Sequence, residues 1–244
     1  MFIRSVFASW LATPWTLPLW QSRFFLVNCF VLRRFLASVR KRFRKNLRYA
    51  PNLLAMQRFH QFVFVGSLLG LSWYAMMAVH EFGHIVGALT TGGTVERVVL
   101  HPLTISRTDV SPNPNPSIVV WLGPILGCII PTAVWWFIPR RFAVSRNIAM
   151  FFAGFCLLAN GAYIAVGSFD RIGDCDVMLE HGSPFWTLLL FGTLTIPTGF
   201  LLWHRLGSVK QFLAGPSMVD PVVAYTLLGA LIVMLALEFT ISSR

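Results

Sequence analysis

The stretch QFVFVGSLLGLSWYAMMAVHEFGHIVGAL, residues 61–89, decides the fold. Crossing a bilayer takes about 20 apolar residues, and this run is long enough to do so. It also carries two imidazoles and a carboxylate within one short motif, His80-Glu81-Phe82-Gly83-His84. Such groups are costly in hydrocarbon and point to a functional site. On a helix, positions i and i+4 share a face, so the Nε2 atoms of His80 and His84 can converge on one Zn²⁺. Glu81 then lies beside them, placed to take a proton from an attacking water. This is the arrangement of a zinc peptidase.

The rest of the chain has the composition of a membrane protein. Of 244 residues, 56% are hydrophobic and 12% charged, and the mean hydropathy is +0.67. Soluble domains carry about 25% charged residues, so a soluble globule is excluded. Four more apolar runs, residues 118–138, 148–169, 185–204 and 219–239, are of spanning length. The expected fold is an all-α, polytopic bundle of about five transmembrane helices with a short membrane-associated β-hairpin. The expected location is multi-pass in a membrane, the cell (inner) membrane if the source is bacterial.

Three regions are expected: an N-terminal segment (1–58), a core of three spans, hairpin and ligand loop (59–184), and two C-terminal spans (185–244). Residues 1–32 are aromatic and apolar but interrupted by Pro14, Pro18, Gln21 and Arg23, which suits an interfacial segment better than a spanning helix. No small-residue cleavage site follows a hydrophobic core there, which argues against a secretory signal. Residues 33–48 set Arg33, Arg34, Arg40, Lys41, Arg42, Arg44, Lys45 and Arg48 among Phe35, Leu36, Val39, Phe43 and Leu47, a basic amphipathic pattern. Much of the +11 net charge is thereby suited to anionic lipid, at about 1 kcal/mol per basic residue near the surface. No recognition motif accompanies it, so the expected partner is the bilayer and not nucleic acid. Cys29, Cys128, Cys156 and Cys175 form no CxxC pair and read as small buried hydrophobes.

A catalytic zinc needs three protein ligands and an open position. Acidic residues are scarce but cluster after the third span, in Ser168-Phe169-Asp170-Arg171-Ile172-Gly173-Asp174-Cys175-Asp176. His80 and His84 lie toward the C-terminal end of span one and this cluster at the C-terminal end of span three, so two reversals bring them to the same side. Glu96, Asp109, Asp220 and Glu238 fit that geometry less well. Asp174 is favoured because it follows Gly173 and starts a stretch able to form a short helix. Asp170 is next, unless it pairs with Arg171. Asp176 suits a helix cap or a partner to a ligating imidazole, and Cys175 is a soft-ligand alternative. His60, His101, His181 and His204 fall near expected boundaries and are given no role, although His101 and His181 are reserve ligands.

These residues resemble the site-2 protease family, zinc metalloproteases that cut substrates within the membrane. The resemblance covers residues 61–179: the His80 to His84 motif in a first core helix, a strand-like segment, a Gly-Pro-containing second helix, and an Asn-bearing third helix followed by aspartate. It implies that His80 and His84 are ligands, Glu81 the general acid/base, an aspartate of residues 170–176 the third ligand, and a transmembrane protein the substrate. The family's Pro-containing turn and Asp-Gly are missing after Asn160-Gly161, which marks a divergent branch.

Gly92-Gly93 is expected to end the first helix. Residues 94–100 and 103–108, rich in β-branched side chains and separated by His101-Pro102, read as a hairpin whose edge can pair with an unwound substrate. Pro112, Pro114 and Pro116 form a stiff connector. Gly123-Pro124 and Gly127 allow a kink or close helix approach, Gly66 and Gly70 suit helix contact, and Pro197 suits a bend. Asn160, a carboxamide in an oily helix, must bond either a substrate carbonyl or oxyanion, or another helix.

Two other functions fit the same residues: a catalytically silent protein that binds or chaperones transmembrane helices, and a metal-ion transporter. The positive-inside rule, applied to the basic residues from Arg33 to Arg58 with Arg140, Arg141, Arg146, Arg205 and Lys210, puts the N-terminus in the cytoplasm and the His80 end outside. The family resemblance puts the metal nearer the cytoplasmic face, so the two expectations oppose one another.

Overall fold

The computed structural model describes residues 53–100, 106–207 and 219–242. The expected interfacial and basic N-terminal segments, Cys29, His101 and Lys210 lie outside the described residues. From Leu54 onward the chain clusters into one compact unit. Five helices are long and apolar enough to cross a membrane, the build of a multi-pass membrane protein. They are α1 (Leu53–Thr90), α2 (Pro116–Phe137), α3 (Ala143–Asp170), α5 (Phe185–Arg205) and α6 (Pro221–Ser242). A short helix, α4 (Asp174–Glu180), and an antiparallel pair, β1 (Val95–Val99) and β2 (Arg107–Val110), complete the described elements.

Hydropathy located the spans but not every helix end. Helix α1 starts at Leu53, well before the apolar run at residue 61. Gln57, Arg58 and His60 lower hydropathy without breaking a helix, so the apolar run marks only part of the rod. At 1.5 Å per residue the 38 residues of α1 reach about 57 Å, against a hydrocarbon core of about 30 Å. His60 is thereby buried inside α1, with its ring edge-on to Tyr225 of α6 at 5.7 Å, not at an exposed boundary as expected.

Helix α3 is the centre of the bundle: half of its apolar window is buried, against 11% for α6. Small residues bring α5 close to it. A Cβ at Gly192 would collide with Ala165, and one at Gly199 would lie 2.8 Å from the Gly154 carbonyl. Phe62, Trp136 and Phe137 are exposed on the outside of the bundle, where lipid takes the place of a protein partner.

The end of α1 closes as the paired glycines require. Gly92 has φ +82°, and the Gly93 N–H donates to the Ala88 carbonyl at 2.8 Å, the six-to-one bond of a Schellman cap. The chain then enters the hairpin, pairing Val95 with Val110, Arg97 with Asp109, Val98 with Thr108 and Val99 with Arg107, with a register shift at Glu96. The second strand departs from expectation: Ser106 is outside it, while Asp109 and Val110 belong to it.

Helix α2 begins with Pro116 in its first turn and continues through Pro124 and Pro131. At its far end, the Arg146 guanidinium donates to the Trp135 and Ile138 carbonyls and lies over the Trp135 ring. The cation thus satisfies carbonyls that a helix C-terminus leaves open. Of the two glycines expected to serve contact in the first half of α1, Gly70 faces Leu231 of α6 but Gly66 has nothing within 4 Å of a Cβ position among the described residues. Gly66 therefore does not mark a contact.

Candidate metal centre

The site is built at the end of the bundle where α1 finishes, α2 starts and α3 turns into α4. Gly83 and Gly87 let α1 lie directly on α2. A Cβ at Gly83 would sit 2.7 Å from the Gly123 Cα, and one at Gly87 would sit 2.8 Å from the Val119 Cα. Gly123 in turn makes room for an imidazole, because a Cβ there would stand 2.5 Å from His84 Nε2. The motif's own Gly83, unread in the sequence, is what seats His84 against the second helix.

The third helix is ended so that one particular aspartate returns to the histidines. Arg171 adopts the left-handed conformation at φ 52°, and the Ile172 N–H caps the Gly167 carbonyl at 3.0 Å. Gly173 follows at φ +55°, with the Tyr163 hydroxyl packed where a side chain would go. That hydroxyl accepts the Asp174 N–H at 3.0 Å and so fixes the first residue of α4. Tyr163 also lies edge-on to His80, with ring centroids 5.9 Å apart.

Each imidazole is oriented through Nδ1. His80 Nδ1 meets Asn160 Oδ1 at 2.6 Å, and His84 Nδ1 meets the Val119 carbonyl at 2.8 Å. The Asn160 amide is itself oriented, because its Nδ2 donates to the Cys156 carbonyl at 2.9 Å. Both Nδ1 atoms therefore face acceptors and carry protons, which leaves the Nε2 lone pairs of the neutral rings pointing away. Those two lone pairs meet at one oxygen: Asp174 Oδ2 is 2.8 Å from His80 Nε2 and 3.4 Å from His84 Nε2.

Three lone pairs converging on one point repel each other unless a proton or a cation sits among them. Tetrahedral zinc with bonds of ~2.0 to 2.1 Å spaces its ligand atoms by ~3.3 Å, so the His84 separation is of coordination size. The His80 separation is that of a charge-assisted hydrogen bond. With a proton there, burial still opposes ionisation of Asp174, but hydrogen bonds and charge from His80 and His84 outweigh it and hold the carboxyl well below the usual carboxylate range. His80, Glu81 and His84 are all buried, with ligand atoms within 4.8 Å of one another, and such a group can hold a metal ion.

The acid beside the imidazoles is held from the hairpin. Thr108 Oγ1 donates to Glu81 Oε2 at 2.7 Å. A cleft of about 360 Å³ opens here, lined by His84, Thr108, Asp174 and the start of α2. Arg107, Thr108, Asp109 and Val110 all line it in succession. Side chains alternate along a strand, so four consecutive lining residues bring both faces of β2 to the cleft, with Glu96 of the β1 segment beside them.

The remaining expected residues sit elsewhere. Asp170 is exposed at the end of α3, and Asp176 pairs with Arg171 at 2.8 Å, the ion pair that the sequence had suggested for Asp170. Cys175 is fully buried, its thiol directed at the Tyr163 and Ile164 carbonyls. Burial, with the Asp174 charge adding to it, pushes that thiol up to about 11 and makes it a poor ligand. His181, just past the end of α4, bonds the Val177 carbonyl of that helix, and His204 is exposed on α5. Asn160 makes the interhelical bond of its two expected roles. Thr108, Tyr163 and the Val119 carbonyl were not anticipated. Tyr163 alone left a signal, standing three residues from Asn160 on the same face of α3.

No protein-family model, curated protein or solved structure matches this chain.

Proposed function

We propose that the chain is an intramembrane metallopeptidase of the site-2 protease kind, hydrolysing peptide bonds in or beside transmembrane segments. One observation carries the reading: two Nε2 lone pairs and one carboxylate oxygen converge beside a second, separately held carboxylate. The donor set, two imidazoles and an aspartate, suits Zn²⁺, with His80, His84 and Asp174 as ligands. When bound there, zinc would lower the pKa of a water toward about 7 and would polarise the scissile carbonyl.

The chain's own residues supply the rest. Glu81 accepts the proton of the attacking water on Oε1 and returns it to the departing amine, while Thr108 holds Oε2 still. Asn160 and the Val119 carbonyl keep both imidazoles in the ligating tautomer. The β2 edge along the cleft offers backbone groups to an extended substrate, which must be unwound before its carbonyl is accessible.

Elemental analysis of purified protein, followed by cleavage assays on transmembrane reporters, tests this. We expect about one zinc per chain, and Glu81→Gln should keep the metal while losing proteolysis by roughly 10²- to 10⁴-fold. Binding of transmembrane helices that survives in Glu81→Gln, with no cleavage by the unaltered protein, would instead support a silent binding or chaperone role.

One observation favours a second reading. Buried polar residues continue down α1 at His60, Gln61, Ser67 and Ser72, as a metal-ion transporter requires. That reading predicts zinc flux into vesicles carrying the purified protein; the peptidase reading predicts none.

A further inference from the structure

Beyond β2 the chain runs Ser111-Pro112-Asn113-Pro114-Asn115-Pro116, of which Asn113 and Pro116 line the cleft. Here the backbone has little to offer a ligand. Pro112 and Pro114 carry no N–H, the Ser111 N–H donates to the Thr94 carbonyl at 2.9 Å, and the Pro112 carbonyl accepts the Thr94 N–H at 3.2 Å. Asn113 is the carboxamide that lines this part of the cleft, together with His84 and Asp174. Its Oδ1 is buried and has no hydrogen-bond partner. Buried side-chain oxygens are rarely left in that state, and the flanking prolines hold this one in place.

The chemistry of the cleft says what the missing partner must be. Oδ1 only accepts. Glu96, Asp109 and Asp174, which line the same cleft, are acceptors as well. Of the nearby donors, Arg107 Nε is turned to Asp109 at 3.2 Å and Thr108 Oγ1 to Glu81 at 2.7 Å. A ligand bound in the cleft can bring the donor. An extended peptide passing the end of β2 carries free backbone N–H groups, whereas a helical one has already used them internally.

We propose that Asn113 is a substrate-anchoring residue whose Oδ1 accepts a backbone N–H of the unwound substrate, taking over where the β2 edge runs out. This rests on the metallopeptidase reading above.

The test uses the full-length, zinc-reconstituted protein and a fluorescent tripeptidyl hydroxamate with apolar side chains. Analogues are methylated at one backbone nitrogen at a time, and acetohydroxamate serves as a metal-only control. Wild type should lose about tenfold in affinity for one methylated analogue, the size of one lost hydrogen bond. Asn113→Ala should lose a similar factor for the parent probe and nothing more for that same analogue. Asn113→Asp, which keeps the oxygen, should retain the wild-type ranking and covers the case in which the alanine variant fails to fold.

The proposal is overturned if no methylation weakens wild-type binding, if Asn113→Ala binds the parent probe as wild type does, or if the two losses simply multiply. Should neither the parent probe nor acetohydroxamate bind the reconstituted protein, the metallopeptidase reading fails and takes Asn113 with it. That outcome is distinct from normal probe binding without coupling to Asn113.

Discussion

The two halves of α1 carry the same kind of residue to different ends. Toward the N-terminus, Gly66 faces nothing within 4 Å among the described residues, and the nearest atoms to Gly70 are the flexible end of Leu231. Toward the C-terminus, Gly83 and Gly87 meet the backbone of α2 itself. A glycine against a movable side chain can be replaced at little cost, whereas one against backbone cannot. Along α1, the closest backbone approach to a neighbouring helix falls at the end that carries His80, Glu81 and His84.

Four substitutions can break or sharpen this contrast. The largest effect is expected at Gly123, where any side chain competes with the His84 ring. On the metallopeptidase reading, Gly123→Val should displace the imidazole and reduce both bound zinc and cleavage rate by about 100-fold or more, the scale of a reacting group misplaced by an ångström. Elemental analysis of a variant that remains folded checks it, and full metal content would refute the seating of His84. Next is Asn160→Ala, which frees His80 to rotate and should weaken metal affinity by about 10- to 100-fold. A competitive chelator titration measures this, and an unchanged affinity would remove Asn160 from the site.

A smaller effect is expected at Gly83. Gly83→Ala forces a Cβ toward Gly123 and should destabilise the bundle by about 1 to 3 kcal/mol, read from unfolding in mixed micelles. The smallest is Gly66→Ala, which should change stability by less than about 0.5 kcal/mol. Equal shifts for Gly66 and Gly83 would erase the distinction between the two halves.

The architecture was largely legible because hydrophobic length is a strong local signal and each span declares itself independently. The site was legible as far as one helix face could carry it: His80, Glu81 and His84 are related by helical spacing alone. What lay beyond depended on tertiary placement. Asp170, Asp174 and Asp176 fall within seven residues and have equivalent chemistry. Only the left-handed turn at Arg171 and Gly173, locked by the Tyr163 hydroxyl, determines which one faces the imidazoles. In the same way, Asn160 declared a need for a partner without naming it, and Thr108 looked like any strand threonine. Gly66 misled because its type is that of Gly83, while the neighbour that gives Gly83 its meaning is far away in sequence.

The unbroken length of α1 has a structural consequence. Leu53–Thr90 contains no proline, and its span exceeds the thickness of the hydrocarbon layer. With no proline to break it, the helix carries His80 and His84 on a segment continuous with its N-terminal end, whereas Asp174 is mounted on a different element, so the 2.8 Å and 3.4 Å separations span a seam between two elements.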